Sequence, residues 1–147
     1  MLLPLLGAVL ATLPTGLPED LSRLVRALEG HGFEVRFAPP PRRGVYGLYE
    51  SGSRRLWVAP VTIPLGIARQ TLIHEATHAV QSCPSGRLSP IGVTVSLNPV
   101  VEREISAILL KSYRHSGNRA VEREAFHLQG QPDAVPILLR AMEQRCR

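Results

Sequence analysis

The chain predicts a small α+β domain, in which an N-terminal helix and a three-stranded sheet precede a helical C-terminal half. Two observations carry this. Between Phe33 and Ala59, short segments with apolar and polar residues interleaved are separated by Pro- and Gly-containing breaks. From Thr71 onward, apolar residues recur at helical spacing, and the breaks between the periodic runs mark separate helices. At 147 residues the chain suits one domain with its own core.

The elements follow in order. Pro18-Glu19-Asp20 starts a helix, with acidic residues in its first turn, and Leu21, Leu24, Val25 and Leu28 form its apolar stripe. Gly30 and Gly32 end it, and His31 between them reads as an exposed loop residue. Phe33 to Phe37 alternates as a half-buried strand does. Pro39-Pro40-Pro41 breaks the chain. Val45 to Glu50 and Arg54 to Ala59 are two further strands, joined through Ser51-Gly52-Ser53 as a hairpin. Trp57 anchors this sheet to the helices. The next helix is expected to begin near Pro64 and to end at Cys83-Pro84-Ser85-Gly86. A helix over about Val100 to Tyr113 follows, with Val101, Ile105, Ile108 and Leu109 inward. Ser116-Gly117-Asn118 separates it from a helix over Arg119 to Gln129. Pro132-Asp133 opens a last helix that ends near Arg145.

The net charge is +5, and Lys111 is the only lysine. The arginines are scattered, as in Arg42-Arg43 and Arg54-Arg55, with few aromatics among them. That pattern predicts a solvated basic surface rather than a nucleic-acid site. No stretch reaches the ~20 apolar residues of a membrane span. Met1 to Leu13 is apolar and uncharged. It has the length of a secretory h-region, with Val9-Leu10-Ala11 as a small-residue cleavage site, but it lacks a positive n-region. We read 1–13 as a signal-like segment ahead of a single domain over 14–147. That reading points to an exported chain; without it the chain is cytoplasmic. Cys83 and Cys146 would be a disulfide in the first case and free thiols in the second.

The chemistry lies in Thr71 to Gln81, which contains His74-Glu75-Ala76-Thr77-His78. On a helix, His74 and His78 are one turn apart and point the same way, as two ligands of one zinc ion do. Glu75 stands beside them, able to take a proton from a water on the metal. Leu72, Ile73, Ala76, Ala79 and Val80 form an apolar side. Thr71, His74, His78 and Gln81 form a separate stripe.

This stretch resembles the active helix of the zincin metallopeptidases, and its wording is similar to that of small cyanobacterial-type enzymes with a His-Glu-Ala-Thr-His core. The metzincin continuation, with Gly three and His six residues after the second His, is absent: Gln81 and Pro84 stand there. A gluzincin-like site with a distant Glu as third ligand fits better. The candidates are Glu102, Glu104, Glu122 and Glu124, from two copies of Val-Glu-Arg-Glu. A ligand helix that crosses close favours a small residue one turn later, which Glu122 (Ala125) and Glu104 (Ala107) have. Glu122-Arg123-Glu124-Ala125 resembles the Glu-x-x-Ala phrase around this ligand, so the resemblance implies Glu122. Phe126 departs from it, because many relatives carry Asp or Asn there to orient a ligand histidine; here that support must come from elsewhere.

The resemblance implies a zinc (Zn2+) peptidase acting on a peptide or protein, with His74, His78 and Glu122 on the metal and Glu75 as general base. Tyr113 and His115 are candidates to stabilise the oxyanion. By the same resemblance Arg54–Ala59 is the edge strand on which an extended substrate lies. The rival reading is a non-catalytic zincin-like module that binds a peptide or nucleic acid.

Overall fold

A computed structural model describes residues 13–93, 95–112 and 116–147. The signal-like segment, except Leu13, and both Tyr113 and His115 lie outside the described residues. Helix α1 spans Glu19–Gly30, strands β1, β2 and β3 span Glu34–Arg36, Gly47–Glu50 and Arg55–Val58, and a 3-10 turn spans Pro60–Thr62. Four helices complete the chain: α2 (Ala68–Gln81), α3 (Pro99–Ser112), α4 (Ser116–Gln129) and α5 (Ala134–Arg145). This is a small α+β domain. No helix among the described residues is long and apolar enough to cross a membrane.

The core forms where α1, α2 and α5 meet one face of the sheet. Leu21, Leu24, Val25 and Leu28 of α1 are buried there with Val35, Leu56, Leu72, Ile73, Val80 and Leu138. Trp57 is buried in β3. Disulfide Cys83–Cys146 ties the end of α2 to the end of α5. Arg145 reinforces that junction by donating to the carbonyls of Pro90 and Cys83.

Several expectations are corrected. His31 is half-buried and donates from Nδ1 to the Cys146 carbonyl at 2.8 Å, so it joins α1 to the C-terminus rather than standing free. Helix α2 starts at Ala68, not near Pro64, because Gly66 has φ +73, a left-handed conformation no α-helix contains. Ser116-Gly117-Asn118 form the first turn of α4 rather than a separator. Of the four residues expected inward on α3, Ile105 and Leu109 are buried, whereas Val101 and Ile108 are exposed. The helix packs against α4 along a single stripe, so it buries fewer positions than its apolar content suggests.

The sheet order is β1-β3-β2, with β1 parallel to β3 and β2 antiparallel to it. The expected edge strand, Arg54–Ala59, is therefore the central one. The Pro-rich connection after β1 crosses over and leaves β2 outermost, beside α2. Ala59 N–H donates to the Tyr46 carbonyl, so Tyr46, Leu48 and Glu50 turn their backbone groups toward β3. Gly47 and Tyr49 turn theirs outward, toward α2.

Candidate metal centre

Helix α2 supplies His74, Glu75 and His78, and α4 packs along it and supplies Glu122. The close approach has its reason in small residues: Ala76 and Ala125 are both fully buried. His74 Nε2 lies 3.2 Å from His78 Nε2 and 3.2 Å from Glu122 Oε2. His78 Nε2 lies 3.1 Å from Glu122 Oε1. Three ligand atoms in a tetrahedral shell about 2.0–2.1 Å from a zinc ion sit about 3.3 Å apart. The two imidazole nitrogens stand at that spacing, each faces a different oxygen of Glu122, and the donor set of two imidazoles and one carboxylate suits zinc.

The outer nitrogen of each imidazole is also partnered. Gln81 Nε2 donates to the Val121 carbonyl at 3.0 Å and to Glu124 Oε1 at 2.9 Å. Its Oε1 is thereby left as an acceptor, 2.8 Å from His78 Nδ1. His78 Nδ1 then carries a proton, so in the neutral imidazole the Nε2 lone pair faces the cluster. Gln129 Oε1 stands 2.8 Å from His74 Nδ1 and does the same there. Phe126 packs edge-on against the His74 ring, with centroids 4.8 Å apart.

The other candidate carboxylates do different work. Glu124 is buried and accepts backbone N–H bonds from Ile91, Gly92 and Val93, which fastens the loop after α2 to α4. Glu102 pairs with Arg123 and His127. Glu104 is exposed. Neither Gln81 nor Gln129 was singled out from sequence as an orienting group; Gln81 lay on the histidine stripe, which was the available signal.

In the metal-free chain, burial pushes the Glu122 carboxyl up, but hydrogen bonds and charge from His74 and His78 outweigh it and bring it down to about 2. Burial pushes His78 down, and Glu122 and Glu75 reverse this to a net rise. Glu75 shifts upward because burial outweighs the pull of the two histidines. The Tyr49 backbone N–H, on the outward-facing side of β2, offsets a small part of that rise.

Glu75 and His74 open onto a cleft of about 510 Å³ lined also by Gly47, Thr71, Phe126 and Gln129. Gly47 is required there. A Cβ at that position would come within 2.7 Å of Thr71 Cγ2 and 2.9 Å of Glu75 Cγ.

A family model described as a domain of unknown function (DUF8637) matches residues 65–142. That span holds all four clustered residues. No curated protein and no solved structure matches the chain.

Proposed function

The chain belongs to the DUF8637 family, and we propose that it is a zinc-dependent peptidase. One observation carries the reading: two imidazoles and a carboxylate converge within metal-binding distance of one another, and His74 of that cluster opens onto a cleft together with the Glu75 carboxylate. His74, His78 and Glu122 would hold the ion. Bound there, zinc supplies a Lewis acid that polarises a substrate carbonyl and acidifies a water.

The chain's own residues do the rest. Glu75 has its proton affinity raised by burial, which suits a base that must take a proton from water and then release it to a leaving amine. Gly47, whose backbone groups turn away from β3, lies in the wall of that cleft, where an extended peptide would meet β2. A purely binding module has no chemical need for a carboxylate so placed. The disulfide supports an oxidising and therefore exported setting.

The test is metal analysis of the purified, disulfide-intact chain, with cleavage of casein or a peptide library and a nucleic-acid shift assay alongside. Glu75→Gln should keep zinc and lose most hydrolysis. His74→Ala, His78→Ala and Glu122→Ala should lose both, while Glu104→Ala should lose neither. Hydrolysis by Glu75→Gln at the parent rate would overturn the assignment of the base.

A further inference from the structure

The cleft beside Glu75 shares Val45 and Tyr46 as wall residues with a second groove of about 580 Å³. The floor of that groove is apolar, with Tyr46 and Val61 both exposed to solvent. Its flank carries Arg42 and Arg43. Neither arginine makes an ion pair or hydrogen bond among the described residues, and both are exposed. The opposite end of the cleft, past Gln70 and Gln129, also has an arginine, Arg69, but Asp20 neutralises it at 2.7 Å. Glu75 is the only carboxylate among the residues that line these three cavities. The trough is thus asymmetric, with two uncompensated positive charges at one end.

Resting on the peptidase reading, we infer that this groove selects peptide segments bearing an acidic side chain within about four residues of the bond to be cut. The reach follows from chain geometry. Arg43 is four residues from Gly47, so their Cα atoms are at most ~14 Å apart. An extended peptide advances about 3.3 Å per residue along a strand edge. A guanidinium is suited to hold a carboxylate through paired N–H donors, and Tyr46 and Val61 receive the aliphatic stem that carries it.

The experiment uses quenched fluorescent peptides, identical except for Glu, Gln or Lys placed three and four residues to either side of the scissile bond. Cleavage by the zinc-loaded chain at low salt should rank Glu above Gln above Lys on one side only. Each arginine should contribute about two- to fivefold in kcat/KM, the factor an exposed ion pair supplies. The ranking should invert in Arg42→Glu/Arg43→Glu, survive in Arg42→Lys/Arg43→Lys, and shrink at high salt. Cleavage without charge preference overturns the inference and leaves the peptidase reading standing. If nothing is cleaved, the peptidase reading fails, and fluorescence anisotropy of the same labelled peptides reads the groove directly. Tighter binding of the Glu peptide that inverts in the double Glu variant supports the groove assignment; equal binding of all three peptides overturns it.

Discussion

Gln81→Met tests the hydrogen-bond chain that orients the cluster. Gln81 is fully buried and joins His78, Val121 and Glu124. Methionine fills nearly the same volume, so the change adds little cavity cost. What it removes is polar. The His78 Nδ1–H loses its acceptor, worth about 1–3 kcal/mol when left buried and unpaired. Glu124 loses one charge-assisted bond, worth about 1.5–3 kcal/mol, although three backbone N–H groups still hold it. The Val121 carbonyl costs less, since it faces the next turn of its own helix. The expected loss is about 3–5 kcal/mol, a large part of the stability of a domain this size.

Urea unfolding of the metal-free, disulfide-intact chain measures that loss. Zinc titration against a chromophoric chelator should show affinity lower by about 10- to 100-fold, because the His78 ring loses the bond that aims it. Gln81→Glu sharpens the test. A carboxylate there cannot donate to Glu124 and must share a proton with it, so this variant should be weakest at alkaline pH and recover toward pH 5. A Gln81→Met chain that unfolds within ~0.5 kcal/mol of the parent would show that the bonds do not carry the site.

Three further outcomes are expected. Glu122, held at about 2 against an ordinary 4.5, stabilises the metal-free chain above its unfolded value; that contribution, at most about 3 kcal/mol, is lost as pH falls from 4.5 toward 2. The raised His78 stabilises below its unfolded value of 6.5 and loses that contribution as pH rises through its folded value, so the metal-free Tm should peak between about pH 4.5 and 6.5 and decline on both sides. Saturating zinc should remove the alkaline decline, because it binds neutral imidazole; an alkaline slope unchanged by zinc would contradict the cluster's role. Reducing Cys83–Cys146, which spans 63 residues, should cost about 4 kcal/mol, and mass spectrometry finding two alkylatable thiols in the native chain would remove the bond altogether. Gly47→Val should push β2 off α2, cost about 1–3 kcal/mol and lower kcat with zinc retained; unchanged turnover would mean that β2 does not position Glu75.

The helices were legible wherever one face meets the core. Leu21, Leu24, Val25 and Leu28, and Leu72, Ile73, Ala76, Ala79 and Val80, are all buried as their spacing requires. Legibility failed where a decision was not local. The hairpin signal at Ser51-Gly52-Ser53 establishes that β2 and β3 are neighbours, but it does not say on which side β1 arrives. Pro64 is a good first-turn residue, yet the left-handed Gly66 two residues later vetoes it. The apolar content of α3 exceeds what one flanking helix can cover.

The cluster shows the same division. His74 and His78 are placed by one helical turn; the small residue one turn on left Glu122 and Glu104 level, and only the resemblance of Glu122-Arg123-Glu124-Ala125 to a Glu-x-x-Ala phrase pointed to Glu122. The orienting partners were not reachable, because an amide's role depends on what its NH2 group finds across the fold. Gln81 serves as an acceptor for His78 only because Val121 and Glu124, some forty residues on, take its two protons. There is an electrostatic reason for amides here. Glu122 and Glu75 already place two carboxylates around His74 and His78, which one divalent cation would balance. Carboxylates in place of Gln81 and Gln129 would add two more in a buried region, where unpaired charge is costly. The one extra acid nearby, Glu124, is offset by three backbone N–H donors and by Gln81 itself. Phe126, which departs from the Asp or Asn of the phrase its neighbours resemble, packs on His74 without adding charge.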